Sequence, residues 1–204
     1  HALHEQRMPA ATFREIVDDL DQTGINYIYC HLRLGGRGVE VEDYVTLRRD
    51  KTIDDMTVQT GTQFVIEPDL TAKIASEDFG APPKILICPG EASREKVYED
   101  LKAKYDSRLY IERTDVDRVE AMHPDVNKGK ALAAICGACG VEVSEAMAIG
   151  DGSNDLPMLE SAGVGVLLGN ADDRTKAAAN EVESAASFYD NGFTEAVERF
   201  VPGL

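Results

Sequence analysis

Basic residues are scarce in this sequence. Lysine and arginine together number 21 against 37 aspartates and glutamates, which gives the 204-residue chain a formal net charge of −16. Clustered cations supply the affinity for nucleic acid and for anionic membrane surfaces, so the composition excludes both partners. Apolar runs are also short, and none approaches the roughly 18 residues of a membrane-spanning helix. With 43% hydrophobic residues, the chain is expected to form one large globular domain or two small ones.

Cysteine is too rare for a disulfide framework, with four in the whole chain. Cys136 and Cys139 have the CxxC spacing of a redox pair or of half a zinc site, but no second pair of matching ligands accompanies them. Both cysteines recur at helical spacing with Leu132 and Ile135, so we expect both thiols on the buried face of one helix. Reduced, buried cysteines favour a cytoplasmic location.

Helices and strands alternate in the second part of the chain, from about Asn127 onward. The predicted elements are, in chain order, a helix at Lys130–Cys139, a strand at Ala146–Ile149, a helix at Pro157–Ala162, a strand at Val164–Leu168, and helices at Asp172–Ala179 and Phe193–Val201. Alternation at this pitch predicts an α/β fold with a parallel sheet covered on both faces. Ala146–Ile149 is apolar at every position, as expected of a central strand with a neighbour on each side.

The first part of the chain predicts a different layout. Strands are predicted at Asn26–His31, Tyr44–Leu47, Thr62–Pro68, Lys84–Cys88, Arg108–Glu112 and Val116–Met122, and helices at Ala11–Gln22, Asp69–Phe79 and Ser93–Tyr105. This pattern favours an α+β unit with helices on one face of a mostly antiparallel sheet. We therefore expect two domains, residues 1–122 and residues 123–204.

The densest cluster of polar side chains follows the strand Ala146–Ile149. The segment 150–155 reads Gly-Asp-Gly-Ser-Asn-Asp and lies between this strand and the next predicted helix. Ligands bind outside the carboxyl ends of strands in open α/β sheets. Asp151 and Asp155 offer hard oxygen ligands suited to Mg²⁺. The alternative is a turn whose Asp and Asn side chains only cap the following helix. Asp155 alone would suit that alternative, but it would not account for Asp151 or for the two glycines.

Two other ligand-binding motifs are excluded by geometry. An EF-hand loop beginning at Asp151 would require glycine and glutamate where the sequence has Leu156 and Ala162. The glycines around Val164–Leu168 enclose the strand, whereas those of a dinucleotide-binding motif follow the strand and open a helix.

Lys128 is predicted in the first turn of a helix, where its charge opposes the positive end of the helix dipole. A phosphate held by the lysine and the helix terminus together would relieve that conflict. Lys130, two residues further on, is predicted to be a solvated surface charge.

These residues resemble motifs of the haloacid dehalogenase superfamily. The matching segments are Asn127-Lys128-Gly129 with Ala131-Leu132, Gly150-Asp-Gly-x-Asn-Asp155 with Met158, and Gly169-Asn-Ala171. They are similar to the third and fourth motifs of that superfamily, and most closely to those of its Cof-type sugar-phosphate phosphatase branch. The resemblance covers residues 119–201 and, more weakly, residues 11–122. It implies a Rossmann-like core with an inserted α+β cap domain.

The resemblance also implies a mechanism. An aspartate nucleophile would attack a phosphate monoester and form an aspartyl-phosphate, which water then hydrolyses. Asp151 would bind Mg²⁺, and Lys128 would neutralise charge on the phosphoryl oxygens. Asn154 would contact the phosphate or its ligands. Asp155, the second residue of the metal site, would bind metal-ligated water or orient Lys128.

The first motif of the family, DxDGT after an apolar strand, carries the nucleophile and has no convincing match in this sequence. The nearest candidate, Asp19-Leu-Asp21-Gln-Thr, lies in a segment with helical spacing, so its aspartates are interpreted as solvated helix charges. Val58-Gln-Thr60-Gly61 is a weak candidate for the second motif. We therefore expect the chain to contain the cap and the C-terminal half of the core, with the N-terminal core segment of the same protein as its missing partner.

These expectations predict a Mg²⁺-dependent phosphatase of small phosphorylated metabolites, with sugar phosphates as the favoured class and the nucleophile outside this chain. The alternative is a truncated, non-catalytic binding module that retains the fold. A DxDGT motif encoded upstream of His1 would separate the two. The expected oligomeric state is a monomer or a weak homodimer.

Overall fold

The computed structural model describes residues 6–34, 40–76 and 80–201. The chain divides into two units between Pro124 and Asp125, two residues after the boundary expected from the sequence. We call residues 5–124 the N-terminal unit and residues 125–204 the C-terminal unit. Within the described parts of both units, no helix has the length and apolar character needed to cross a bilayer.

The N-terminal unit is built on a six-stranded sheet in the order β3-β2-β1-β4-β6-β5. Its neighbouring strands are antiparallel except for β2 and β3, which run parallel. The elements are α1 (Ala10–Thr23), β1 (Asn26–Leu34), β2 (Glu40–Thr46), α2 (Lys51–Thr60), β3 (Phe64–Ile66), α3 (Leu70–Ala75), β4 (Lys84–Cys88), α4 (Glu91–Tyr105), β5 (Tyr110–Asp115) and β6 (Arg118–Met122). The predicted mostly antiparallel sheet is confirmed.

Helices cover both faces of this sheet. Buried side chains of α1, α3 and α4 share one core with Tyr27 and Ile87, whereas α2 contributes Ile53 and Met56 to a separate cluster that includes Ile28. Successive residues of a strand point to opposite faces, so Tyr27 and Ile28 place the two clusters on opposite sides. The three helices that the sequence predicts share one face, and α2, which the sequence does not predict, covers the other.

The two weak matches to the first and second family motifs lie on helices. Asp19 is on α1, where its carboxylate accepts hydrogen bonds from Lys104 Nζ at 2.5 Å and from the Tyr105 hydroxyl at 2.6 Å. The helical interpretation is confirmed, but Asp19 is partly buried and joins α1 to α4 rather than being a solvated charge. Thr60 ends α2 and donates to the carbonyl of Met56 at 2.7 Å, so it does not follow an apolar strand as the second motif requires.

The C-terminal unit contains a parallel three-stranded sheet in the order β7-β8-β9. Its elements are α5 (Lys128–Cys139), β7 (Met147–Gly150), α6 (Leu156–Ser161), β8 (Val164–Leu168), α7 (Asp173–Ala178), β9 (Glu183–Ala185) and α8 (Gly192–Phe200), with 3-10 helices at Val143–Glu145, Ser153–Asp155 and Phe188–Asp190. Val166 and Leu167 point to opposite faces of β8 and are both buried, so this strand is covered on both sides. The predicted α/β fold with a parallel sheet is confirmed.

Strand β7 lies at the edge of this sheet. It pairs with β8, and no other strand in the described parts of the chain pairs with its second edge. Ala148 is buried, whereas Met147 and Ile149 remain partly exposed. The apolar pattern predicts a central strand with two neighbours, and the described residues supply one of them.

All four cysteines are free, and three of them are buried. Cys139 is exposed, so the expectation that both CxxC thiols are buried is wrong. Only Gly129 and Cys136 are buried on α5, which leaves the apolar face narrower than its sequence pattern indicates. Burial raises the pKa of the Cys88 thiol to about 12, and it also raises the pKa of Cys30.

Thiol titration of the native chain with 5,5′-dithiobis(2-nitrobenzoic acid) is expected to show one rapidly reacting cysteine, Cys139. The other thiols are shielded by burial, and the thiolate form that reacts is suppressed where burial raises the pKa. Cys139→Ser should remove the fast phase, and all remaining thiols should react in denaturant. A fast phase that persists in Cys139→Ser would contradict the assigned exposure.

Candidate active site

The candidate site lies where β7 and β8 end side by side. Gly150, the last residue of β7, is paired with Leu167 of β8, and Asp151 follows directly after Gly150. Asn170 follows β8, and its Nδ2 donates a hydrogen bond to Asp151 Oδ2 at 2.6 Å. The carboxyl ends of parallel strands thus place Asp151 at the edge of the sheet where open α/β folds bind ligands.

Asp155 is the buried anchor of the loop after β7, with 5% of its surface exposed. Its Oδ2 accepts hydrogen bonds from the backbone N–H of Asp151 at 3.0 Å and from that of Gly152 at 2.9 Å, and its Oδ1 accepts from Lys128 Nζ. Although Asp155 occupies the N-cap position of α6, its side chain makes no capping hydrogen bond to that helix. The alternative of a simple helix cap is therefore wrong.

Lys128 is the first residue of α5, as the sequence predicts. Asn127 caps the helix, and its Oδ1 accepts from the backbone N–H of Lys130 at 2.9 Å. The side chain of Lys128 remains 48% exposed although it is paired with Asp155. An ammonium group carries three donors, so Lys128 retains donors for a ligand while Asp155 holds it in place. Lys130 instead forms an exposed ion pair with Asp125 at 2.6 Å.

Two glycines allow these elements to approach closely. A Cβ on Gly129 would lie 2.4 Å from the carbonyl oxygen of Pro157, so the first turn of α5 sits directly against the first turn of α6. A Cβ on Gly150 would lie 2.6 Å from side-chain atoms of Asp155. Real Cβ atoms do not tolerate such distances. The glycines next to Lys128 and Asp151 are thus the reason that both residues can reach Asp155.

The structure brings the predicted site residues together in one loop and one helix terminus. Lys128 contacts Asp155 directly, and Asp151 is joined to Asp155 through its backbone. Asn154 lies on the same loop, partly buried, with its side-chain oxygen so close to Gly152 that a Cβ there would be 2.6 Å away. Asn170 belongs to the segment Gly169-Asn-Ala171 that resembles a family motif, and its position directly after the neighbouring strand is the signal that places it at this site.

The side chains at this site supply only part of the ligand set that a divalent cation needs. Among the residues that the structure describes, no group of three or more His, Cys, Asp and Glu side chains is arranged to hold a metal ion. Asp151 is exposed, and Asn170 binds one of its two carboxylate oxygens. Mg²⁺ is usually bound by one or two carboxylates and keeps several waters, so Asp151 fits as one such ligand. Both oxygens of Asp155 are already occupied by hydrogen bonds.

Sequence comparison finds relatives among curated phosphatases. The chain is 46% identical over 81 residues to a phosphoglycolate phosphatase of Methanoculleus marisnigri, a match that covers 40% of this chain and 34% of the relative. It is 37% identical over 113 residues to a phosphoglycolate phosphatase of Methanothermobacter thermautotrophicus, covering 55% of this chain and 47% of the relative. The matched regions span less than half the length of these curated relatives.

Solved structures share the fold at lower identity. A haloacid dehalogenase-like hydrolase from B. subtilis has a TM-score of 0.78 at 17% identity, covering 97% of this chain and 73% of its own. BT4131, a sugar phosphatase of HAD subclass IIB, has a TM-score of 0.76 at 17% identity. The match covers 97% of this chain and 69% of BT4131. These likenesses show that the chain shares the fold of these proteins. A family model for haloacid dehalogenase-like hydrolases matches residues 1–196, so the chain belongs to this family.

Proposed function

We propose that the chain is part of a Mg²⁺-dependent phosphatase that acts on small phosphorylated metabolites, with sugar phosphates or phosphoglycolate-like compounds as the substrate class. The observation that carries this proposal is the convergence of Lys128, Asp155 and Asp151 at the carboxyl end of β7. Phosphoryl transfer requires cations positioned around spreading negative charge, and these residues can supply both a cation and a metal ligand. A non-catalytic binding module would not require this arrangement.

Each residue has a distinct role in this proposal. Lys128 binds the phosphoryl oxygens, and Asp155 orients Lys128 because its carboxylate already holds the ammonium group. Asp151 holds Mg²⁺, which when bound neutralises charge on the phosphate and polarises it toward attack. Asn154 contacts the phosphate from the same loop.

The nucleophilic aspartate is proposed to lie on a strand outside this chain that pairs with the second edge of β7. The support is physical: the second edge of β7 has no partner strand among the described residues, and such an edge exposes backbone groups that another strand satisfies. A parallel strand at that edge would end beside Asp151, because parallel strands end at the same side of a sheet. We propose that this strand belongs to the same protein. We also propose that the protein is a cytoplasmic monomer or weak homodimer, in keeping with its free cysteines.

Asp151→Asn is expected to raise the Mg²⁺ concentration for half-maximal turnover roughly tenfold or more, because an anionic ligand is replaced by a neutral one. The measurement is steady-state hydrolysis of glucose 6-phosphate and 2-phosphoglycolate over a Mg²⁺ titration, using the protein expressed with the coding sequence upstream of His1. Asp173→Asn, an exposed carboxylate at the start of α7, is the matched control and should leave the titration unchanged. An unaltered Mg²⁺ dependence in Asp151→Asn would remove Asp151 from the metal site.

A further inference from the structure

The side chain of Asn170 links Asp151 to the segment after β9. Its Nδ2 donates to Asp151 Oδ2 at 2.6 Å, and its Oδ1 accepts from the backbone N–H of Phe188 at 2.8 Å. The backbone N–H of Gly169 donates to the carbonyl of Ala186 at 3.1 Å, which joins the same two segments a second time. Asn170 is thus held by main-chain groups on one side while its amide group reaches the exposed carboxylate on the other.

We propose that Asn170 is a positioning residue that fixes the carboxylate of Asp151 for cation binding. This inference rests on the proposed function, since it concerns the same site. An exposed aspartate on a loop has freedom about both of its side-chain torsions, and a hydrogen bond to one oxygen restricts that freedom. Because Asn170 holds Oδ2, the orientation of the carboxylate is fixed and Asp151 Oδ1 is left to bind a cation.

The chemistry of the amide determines which end of Asn170 faces Asp151. A backbone N–H can only donate, so the group that meets Phe188 must be the amide oxygen, and the NH₂ group must then point to the carboxylate. An amide donor forms a short, charge-assisted hydrogen bond without adding a charge to the site. A lysine at this place would compete with the cation, and a second carboxylate would repel Asp151. Asparagine therefore suits the positioning of a metal ligand.

The effect of such a contact on cation affinity has a known scale. Hydrogen bonds to ligating carboxylates and imidazoles change metal affinity by roughly 10- to 100-fold when they are removed. The contact between Asn170 and Asp151 lies at the protein surface, so its loss should change the folding free energy by much less than the loss of a buried contact. Cation affinity and stability are thus expected to respond differently to the same substitution.

The test is Mn²⁺ binding to the protein expressed with the coding sequence upstream of His1, monitored by electron paramagnetic resonance of the free ion. Mn²⁺ prefers the same oxygen ligands as Mg²⁺ and can be counted directly without turnover. Asn170→Ala is expected to raise the Mn²⁺ dissociation constant roughly 10- to 100-fold while shifting the melting temperature no more than the control does. The control is Asn180→Ala, which removes an exposed amide that contacts Glu160 at 3.3 Å in the same unit.

A parallel measurement on Asp151→Asn separates this inference from the proposed function. If Asp151→Asn weakens Mn²⁺ binding and Asn170→Ala does not, the positioning role of Asn170 is overturned while the metal site stands. If neither substitution weakens binding, or if the unmodified protein binds no Mn²⁺, then Asp151 is not a metal ligand and both proposals fail. Equal weakening by Asn170→Ala and Asn180→Ala would also overturn the inference, because it would show a general structural effect.

Discussion

The 204-residue chain by itself is expected to hydrolyse no p-nitrophenyl phosphate at any Mg²⁺ concentration. Lys128 and Asp151 can bind a phosphate and a cation, but neither can form the covalent intermediate that the proposed reaction requires. The two aspartates nearest to a nucleophile motif are on α1, where Asp19 is bound by Lys104 and Tyr105. Robust Mg²⁺-dependent turnover by this chain would contradict the prediction. Asp19 and Asp21 would then be the candidates for the nucleophile.

The same protein with its upstream coding sequence is expected to be active, and Lys128→Ala should lower its kcat roughly 100- to 1,000-fold. The substitution removes a positive charge from the transferring phosphoryl group and also leaves the buried carboxylate of Asp155 without its ion pair. Lys130→Ala is a close control, because Lys130 lies on the same helical turn and pairs with Asp125 at the surface. Equal activity of the two variants would remove Lys128 from the proposed mechanism.

Gly165→Ala is expected to destabilise the C-terminal unit by about 3 kcal/mol, near the upper end of the cost of overpacking a core. A Cβ on Gly165 would lie 2.0 Å from the backbone carbonyl oxygen of Leu159. Neither partner can yield by a side-chain rotation, since one is the main chain of α6 and the other is the buried strand β8. The helix that begins just after Asp155 would have to move away from the sheet.

The matched control is Gly137→Ala, the same chemical change on α5. A Cβ on Gly137 would meet no atom within 4 Å, and alanine is favoured over glycine in a helix by up to about 1 kcal/mol. Urea unfolding of the chain should therefore show opposite signs for the two substitutions. Similar unfolding midpoints for both variants would show that α6 does not pack against β8 as described.

Elements with a strong apolar pattern could be predicted from the sequence, and elements without one could not. The helix α1 follows from the spacing of Phe13, Ile16 and Leu20, and all three side chains are buried. In contrast, α2 has few apolar residues, and it is positioned by contacts that have no local signal. Its Thr52 donates a hydrogen bond to Asp117, 65 residues away in sequence.

The sequence does not predict strand β9, for a related reason. Glu183–Ala185 is short and polar, so neither alternation nor an apolar run marks it as a strand. It forms because β8 offers a free edge on that side, and the pairing is determined by the sheet rather than by the segment itself. A preference that arises from tertiary pairing is not visible in a local window.

The site was predictable where the family resemblance gives both partners a role, and less so where the contact depends on strand register. Lys128 and Asp155 belong to motifs whose resemblance to a known family indicates a shared role, and the structure places them in contact. The contact between Asp151 and Asn170 spans 19 residues and depends on the pairing of β7 with β8. Nothing in either local segment specifies that pairing.

The N-terminal unit is a single uninterrupted stretch of polypeptide, and this has a consequence for synthesis on the ribosome. All six strands of its sheet lie between Asn26 and Met122, so the sheet is complete in sequence before any residue of β7 has been translated. At typical rates of elongation, the part of the chain from Asp125 to Leu204 requires on the order of 4 to 16 s. The N-terminal unit therefore has time to fold during translation, before the C-terminal unit is complete.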